Sequence, residues 1–261
     1  MHASGQLDAV SRLKDGWRHL LLLGIVLGSL ALMLSLGPAR QNAGYHRFAD
    51  QRVIFGVPNF FDVGSNIAFL LVGVAGAVFL ARRPTSLGAP WLTFFVGVAI
   101  ISAGSGYYHA NPDNGTLFWD RLPMTIAFMG LLAAILGEYV SERLGRVLLV
   151  PAVLLGLLSV LYWHSFDDLR FYYWIQLIPL LTILVVMALF RPRYTHQWAL
   201  LVAVALYGFA KVSEAYDREV FALTQHLLSG HTLKHLLAAL SCYAVLVSLK
   251  VRKPVRIDIR C

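Results

Sequence analysis

The chain has 261 residues, of which 58% are hydrophobic and 14% are charged. Soluble globular domains have about 45–50% apolar and about 25% charged residues, so this composition argues against a soluble fold, and the high hydrophobicity excludes a disordered chain. Lysine and arginine outnumber aspartate and glutamate by 22 to 14. Because the chain has no basic patch with interleaved aromatic residues, we do not expect nucleic acid as a partner.

Long apolar runs divide the chain. A membrane-spanning helix needs about 20 apolar residues, whereas the strands of an outer-membrane barrel alternate apolar and polar residues over about ten. The runs found here have helical length, so the sequence predicts an all-α, polytopic membrane helical bundle. Eight runs qualify: Leu20–Leu36, Phe60–Ala81, Pro90–His109, Trp119–Val140, Val147–Trp163, Leu169–Phe190, Trp198–Val212 and His231–Leu249.

The first run, Leu20–Leu36, allows two interpretations. A basic flank precedes it and small residues follow it, as in a signal sequence. The segment before the run is long for a signal sequence, however, and the cleavage signal is poor. We therefore expect a helix that is retained rather than cleaved.

The distribution of lysine and arginine predicts the topology. One set of alternate loops, together with both termini, carries fourteen of these residues, and the opposite set carries five. Lysine and arginine collect in cytoplasmic loops. Both termini are therefore expected in the cytoplasm, and in a bacterial cell this would be the inner membrane.

Most of the histidines lie on the predicted non-cytoplasmic side. Ionisable residues within membrane spans are costly, so they are functional candidates by default. The chemistry of this protein is therefore expected at the non-cytoplasmic face. The six histidines on that side are His46, His109, His164, His226, His231 and His235.

Two of these histidines form a pair at helical spacing. His231 and His235 are four residues apart, so they lie on the same face of a helix, where two imidazoles can bind one metal ion. In soluble zinc proteases the corresponding motif is H-E-x-x-H, but Thr232 occupies the position of the glutamate. A pair of packing or interfacial histidines is the alternative.

Two further spans contribute polar residues at the same predicted depth. Ser105 precedes His109 by four residues at the end of the third span, and Asp120 followed by Arg121 opens the fourth. Taken alone, each has a structural interpretation, because Asp120 could cap its helix or pair with Arg121.

Taken together, these residues have the composition of a catalytic zinc site. The third span ends, and the fourth and eighth begin, at the non-cytoplasmic face. Three histidines that leave a fourth coordination position open are the ligand set of a catalytic zinc ion. A nearby carboxylate can take a proton from water, and a hydroxyl can hold a developing oxyanion.

The pattern Ser105-x-x-x-His109, Asp120 and His231-x-x-x-His235 resembles the signature of the alkaline ceramidase family. That family belongs to a superfamily of seven-helix membrane hydrolases that includes the adiponectin and progestin receptors. The resemblance covers roughly residues 45–250, and the order, spacing and helix placement of the motifs match. It implies a seven-helix ceramidase-like core at 45–250, which follows a segment 1–44 with the cytoplasmic N-terminus and one extra helix. A basic cytoplasmic tail, 251–261, would follow the core.

The resemblance also implies a role for each motif residue. His109, His231 and His235 would bind Zn²⁺, Asp120 would act as base or orienting group for the attacking water, and Ser105 would stabilise the oxyanion. The substrate would be a membrane lipid with an amide bond. Hydrolysis of a ceramide-like lipid would release a fatty acid and a sphingoid-type base.

One part of the sequence departs from the family pattern. Animal alkaline ceramidases have an acidic calcium-binding stretch before the first core helix, which ends in a Ser-Asn pair. Here Ser65-Asn66 is present, but the segment Tyr45–Arg52 lacks the acidic D-W-x-E run, so we do not assign Ca²⁺. Asn59, Asp62 and Asn66 could act as supporting or calcium-like oxygen ligands. Helix capping is the alternative for Asn59 and Asp62.

Other residues are candidates for the substrate pocket. Lys211 and Glu214 are three residues apart and could form an ion pair or line the mouth of the pocket. Lys234, between the two ligands of the last span, is expected to face another partner or to extend to the interface. Tyr108 and Trp119 fit either a substrate pocket or the aromatic belt at the membrane surface.

Two other functions remain open at this point. A receptor or scaffold could use the same zinc ion structurally, with the same residues. An intramembrane serine protease could use Gly104-Ser105-Gly106 as a nucleophile motif, although this would leave two histidines and Asp120 without a role. A haem-binding electron carrier would likewise give Ser105 and Asp120 no role.

Overall fold

A computed structural model describes the backbone of residues 2–255 and the side chains of residues 16–255. Within these ranges the protein is an all-α bundle, and eight of its helices are long and apolar enough to cross a membrane. This confirms the predicted fold class and the multi-pass architecture. Part of the predicted basic tail, residues 256–261, lies outside the described residues, as do the side chains of the first 15 residues.

The helices follow the predicted runs closely, with one break. The run predicted as Phe60–Ala81 is a single span with an interruption at Asn66, whose side-chain amide donates to the carbonyls of Asp62 and Val63. The side chain thus competes with the backbone ladder at this position. The helices are α1 (His2–Ser35), α2 (Phe60–Ser65), α3 (Ile67–Arg82), α4 (Gly88–Ala110), α5 (Asn114–Tyr139), α6 (Glu142–Phe166), α7 (Arg170–Leu189), α8 (Trp198–Ala215), α9 (Asp217–Leu223) and α10 (Gly230–Val251), with a 3₁₀ turn at Ala43–His46.

Helix α5 is the centre of the bundle. In its most apolar stretch 78% of the residues are buried, whereas the figure for the spanning part of α1 is 6%. Helix α5 packs against α4, α6 and α7, and α10 packs against α8 and α3. Helix α1 contacts α7 at the periphery, where the Trp174 indole donates to the Ser29 hydroxyl at 3.1 Å. The extra helix therefore adds to the outside of the bundle, and it contributes Leu22 to the buried core cluster.

The start of α5 corrects one interpretation of Asp120. Asp113 is the N-cap residue, and it forms a capping box with Thr116. Asp120 lies two turns further along the helix and is buried, so it does not cap the helix. Its carboxylate is available for another role.

A glycine and a proline bring α4 and α5 together beside the predicted site. Pro123 has no N–H, so it leaves the Trp119 carbonyl without its usual partner within the helix. Gly104 packs directly on that carbonyl, and a Cβ at Gly104 would lie 2.2 Å from the oxygen. Because the neighbour is backbone, it cannot turn away, so only glycine allows the two helices to approach this closely here.

We therefore expect Gly104→Ala to destabilise the bundle by about 1–3 kcal/mol through overpacking, and to lower the thermal midpoint of the purified protein. Gly106→Ala is the matched control on the same helix, because a Cβ there would meet nothing within 4 Å. An equal midpoint for the two variants would contradict this account of the contact.

Candidate metal centre

Three histidines from two helices meet inside the bundle. His109, in the last turn of α4, and His231 and His235, in the first turns of α10, are all buried. One ring nitrogen from each lies within 4.8 Å of the others. Their ring centroids are 4.7–4.9 Å apart. This buried group could hold a metal ion.

The spacing of one pair of nitrogens fits a metal ligand set. Nε2 of His109 and Nε2 of His231 are 3.3 Å apart. Two nitrogens at tetrahedral angles on a zinc ion, with bonds of about 2.0–2.1 Å, would be about 3.3–3.4 Å apart. Nδ1 of His109 is buried and has no hydrogen-bond partner among the described residues, so no contact holds this ring in another orientation.

A hydrogen bond to Ser65 sets the tautomer of His235. The Ser65 hydroxyl donates to the Asp62 carbonyl at 3.0 Å and lies 2.8 Å from Nδ1 of His235. Since the hydroxyl proton is used by the carbonyl, the serine oxygen accepts from Nδ1–H of His235. The lone pair of His235 is then on Nε2, the nitrogen that faces the other histidines. Such outer hydrogen bonds orient metal ligands and fix their tautomers.

Lysine 234 also points into this group. Its Nζ is 2.9 Å from Nε2 of His231 and 3.1 Å from Oε1 of Glu214. The ammonium donates to the Nε2 lone pair of His231, which a metal ion would need. Metal binding therefore requires Lys234 to give up this contact and to keep only its contact with Glu214. The sequence-based expectation that Lys234 faces a different partner is confirmed for Glu214, but its contact with His231 was not anticipated.

A buried carboxylate anchors the first turn of α10. Asp62 accepts from the Thr232 hydroxyl at 2.6 Å and from the Ser229 hydroxyl at 3.2 Å. Ser229 is also the N-cap residue of α10. Thr232, which stands where zinc proteases have a glutamate, therefore serves to hold α10 against α2.

The segment 36–59, which we call the cap segment, covers the histidines. The Phe48 ring is buried, and its centroid is 4.7 Å from those of both His109 and His231. Asp217 ties the segment to α10, because its two oxygens accept from the backbone N–H groups of Ala49 and His231, each at 2.8 Å. The apolar ring therefore packs directly on two of the three imidazoles.

The cap segment also reaches the neighbouring acidic residue of α8. The Tyr45 hydroxyl donates to Oε1 of Glu214 at 3.0 Å. Burial, together with the negative charge of Glu214, raises the pKa of the Tyr45 phenol well above its ordinary value. The phenol therefore keeps its proton and remains a donor to Glu214.

Ser105 and Asp120 lie together in the cavity that His235 lines. Both side chains are buried, and the serine hydroxyl is within hydrogen-bonding reach of the carboxylate. They line the same cavity as His235 and Lys234. The close packing of α4 on α5 at Gly104 explains why residues from two helices meet here.

This cavity is polar at one end and apolar along its length. Its polar end contains Ser105, Asp120, Lys234 and His235, together with Tyr45, Arg121, Lys211 and Glu214. It encloses about 150 Å³ and continues between α4, α5, α7, α8 and α10 along apolar side chains that include Phe94, Leu131, Ile183, Val204 and Val245. Along α10 it extends from His235 to Val245, which is roughly 15 Å at 1.5 Å per residue.

The structure places the remaining predicted pocket residues in two groups. Lys211 and Glu214 form the expected ion pair and also line the cavity. Tyr108 does not line it: its ring is buried in a separate cluster, and its hydroxyl lies 3.0 Å from Nδ1 of His46. Trp119 is 55% exposed on the outside of α5. Both aromatic residues are therefore away from the cavity that holds Ser105 and Asp120.

The three predicted oxygen ligands have structural contacts. Asn59 is the N-cap residue of α2, but its side chain makes no capping bond and donates instead to the His109 carbonyl at 2.8 Å. Asp62 and Asn66 connect α2 to α10 and to the break before α3. Asn59 and Asp62 therefore each contact a helix that carries a histidine, whereas Asn66 bonds only within its own span.

Sequence reasoning did not identify the roles of Ser65, Phe48 and Asp217. They belong to a short helix, an irregular segment and a helix start, and none shows a spacing that links it to the histidines. Only the folded chain brings them within contact of the site.

The chain was compared with known proteins. No protein-family model matches it, and no curated protein matches it significantly.

If Ser65 orients His235, then Ser65→Ala should weaken zinc binding by about 10–100-fold, as measured by competition with a chromogenic chelator. Ser159→Ala is the control, because the Ser159 hydroxyl likewise donates to a backbone carbonyl three residues earlier, but on α6 and without a histidine partner among the described residues. Unchanged affinity in Ser65→Ala would contradict the proposed tautomer.

Proposed function

We propose that this protein is an integral membrane, zinc-dependent hydrolase that cleaves the amide bond of ceramide-like lipids. The observation that carries the proposal is the position of the three-histidine group. One member of the group, His235, lines the polar end of a long apolar cavity, and that end also contains a buried serine and a buried aspartate. The resemblance to the alkaline ceramidase family, found on the same five motif residues, agrees with this arrangement.

His109, His231 and His235 would hold the zinc ion, since one ring nitrogen from each lies within 4.8 Å of the others and the His235 tautomer suits coordination. Lys234 would release Nε2 of His231 and keep its ion pair with Glu214. A bound zinc ion would supply Lewis acidity, which polarises an amide carbonyl and makes water acidic near neutral pH. The three ligands would leave a fourth position open for the reacting groups.

The protein side chains would move the protons. Asp120 is buried, lines the same cavity as His235 and pairs with no cation in the described ion pairs, so its carboxylate can accept the proton of the attacking water. Ser105 is within reach of that carboxylate and can donate its hydroxyl proton to the developing oxyanion. The water oxygen adds to the acyl carbon, the C–N bond breaks, and the proton passes to the amine.

The apolar cavity suits the acyl chain. Its walls beyond His235 are phenylalanine, leucine, isoleucine and valine side chains, and it is as long as a medium-length extended chain. Helices α7 and α8 make few contacts with each other, and both contribute wall residues, among them Gln176 and Tyr207, which hydrogen bond to each other at 3.1 Å. This seam is the proposed path by which a lipid reaches the cavity from the bilayer.

The site end of the bundle is proposed to face away from the cytoplasm. This orientation rests on the lysine and arginine distribution, which places both termini in the cytoplasm. It would expose the site to lipids of the outer leaflet.

The purified protein is expected to contain one zinc ion and to release fatty acid from a lipid amide, and chelation should abolish the release. His235→Ala should lose the zinc. Asp120→Asn should keep it but lower kcat by about a hundredfold to ten-thousandfold, because the base is lost while the ligands remain. Metal analysis and mass spectrometry of released products measure both effects.

Other outcomes would favour the alternatives. Bound zinc without turnover of any lipid amide would indicate a receptor or scaffold. Activity that survives removal of all metal, together with labelling of Ser105 by a fluorophosphonate, would indicate a serine hydrolase. Either result would overturn the proposal.

A further inference from the structure

The polar end of the cavity carries more positive than negative charge. Three cations line it, Arg121, Lys211 and Lys234, against the carboxylates of Asp120 and Glu214. A surplus charge is costly in the low-dielectric interior of a membrane protein unless it meets an anion. The zinc ion of the proposed function would increase this surplus.

The carboxylate of Glu214 already has three partners within the protein. Its carboxylate pairs with both Lys211 and Lys234 and accepts from the Tyr45 hydroxyl. Two ammonium groups thus share one carboxylate. One of them, Lys211, has a side chain that is 50% exposed, so it can reach another anion.

Arg121 has no carboxylate partner among the described ion pairs. Its guanidinium lies 3.9 Å from the Trp163 ring centroid and 4.9 Å from that of Tyr172. One terminal nitrogen donates to the Gln41 side chain at 2.7 Å, and the other is buried and unpartnered. The expected pairing with Asp120 is therefore not found, and the cation is held by aromatic faces and an amide.

These cations lie where the amine part of a bound lipid amide would be. Lys211 and Glu214 line both the apolar cavity and a second, wider cavity beneath the cap segment, so they mark the boundary between the two. An acyl chain in the apolar cavity would place the group attached to the amide nitrogen at this boundary. The Tyr45 ring, 5.8 Å from the Arg121 guanidinium, borders the same place.

We propose that Lys211, with Lys234 and Arg121, forms a subsite for a carboxylate on the amine part of the substrate, so that the preferred lipid amides are N-acyl amino acids. This inference rests on the proposed amide hydrolysis for its reaction. Water adds its oxygen to the acyl carbon, the C–N bond breaks as one water proton passes to the leaving nitrogen, and the proton of the new carboxylic acid then passes to the amine. The products are a fatty acid anion and a zwitterionic amino acid.

The test compares N-dodecanoylglycine with N-dodecanoylethanolamine, which have the same acyl chain but differ in charge. Binding of both is measured on metal-free, full-length protein in a nonionic detergent, where no turnover occurs. The glycine conjugate is expected to bind about tenfold to a hundredfold more tightly, as hydrogen bonds to charged groups allow. Turnover of both compounds is then measured on the zinc-loaded protein by mass spectrometry.

Charge variants assign the preference to the subsite. Lys211→Gln should remove most of the preference and Lys211→Arg should retain it, because only the first loses the cation. Arg121→Gln should also reduce it. Lys250→Gln is the control, since Lys250 is an exposed lysine at the other end of α10. Lys211 is half exposed, so its variants are expected to fold even if a change at buried Arg121 is not tolerated.

Equal binding of the two compounds, or a preference that is unchanged in Lys211→Gln, would overturn the carboxylate subsite. Hydrolysis of both amides without a preference would leave the proposed function standing and remove only the subsite. A binding preference that depends on Lys211, without hydrolysis of either amide, would support the subsite and contradict the proposed function.

Discussion

The structure depends on the contact between the last turn of α4 and the first turns of α10, where three buried imidazoles face one another. Polar rings are costly inside an apolar bundle unless they have partners. Here Ser65 of α2 is the partner of His235, and Lys234 of α10 itself is the partner of His231. The packing of these two helix ends therefore determines whether the histidines form a site at all.

The surrounding polar contacts hold those helix ends in place. Asp62 bonds the first turn of α10 to α2, and Asp217 bonds the same turn to the cap segment. Phe48 closes the remaining side with an apolar ring. The site is thus held by contacts from several elements, and its His235 lines the apolar cavity.

Much of the architecture is predictable from the chain itself, because the membrane imposes a simple rule. A span must be about 20 apolar residues long and helical, so eight runs of that length predict eight helices. The i,i+4 spacing of His231 and His235 likewise predicts a shared helix face. Tyr108 and Trp119 show the limit of this reasoning, because an aromatic residue at a helix end fits a pocket, a buried cluster and an exposed position equally well.

The sequence by itself determined the all-α membrane class, the helix positions and the polar residues that share one end of the bundle. Their exact partners were decided only by the tertiary structure. Asp120 does not cap its helix, because Asp113 begins that helix, and Lys234 reaches both His231 and Glu214, because α8 packs beside α10. The physical reason is that periodicity fixes direction along one helix, whereas contacts between helices depend on how closely backbones approach, as at Gly104 and the Trp119 carbonyl.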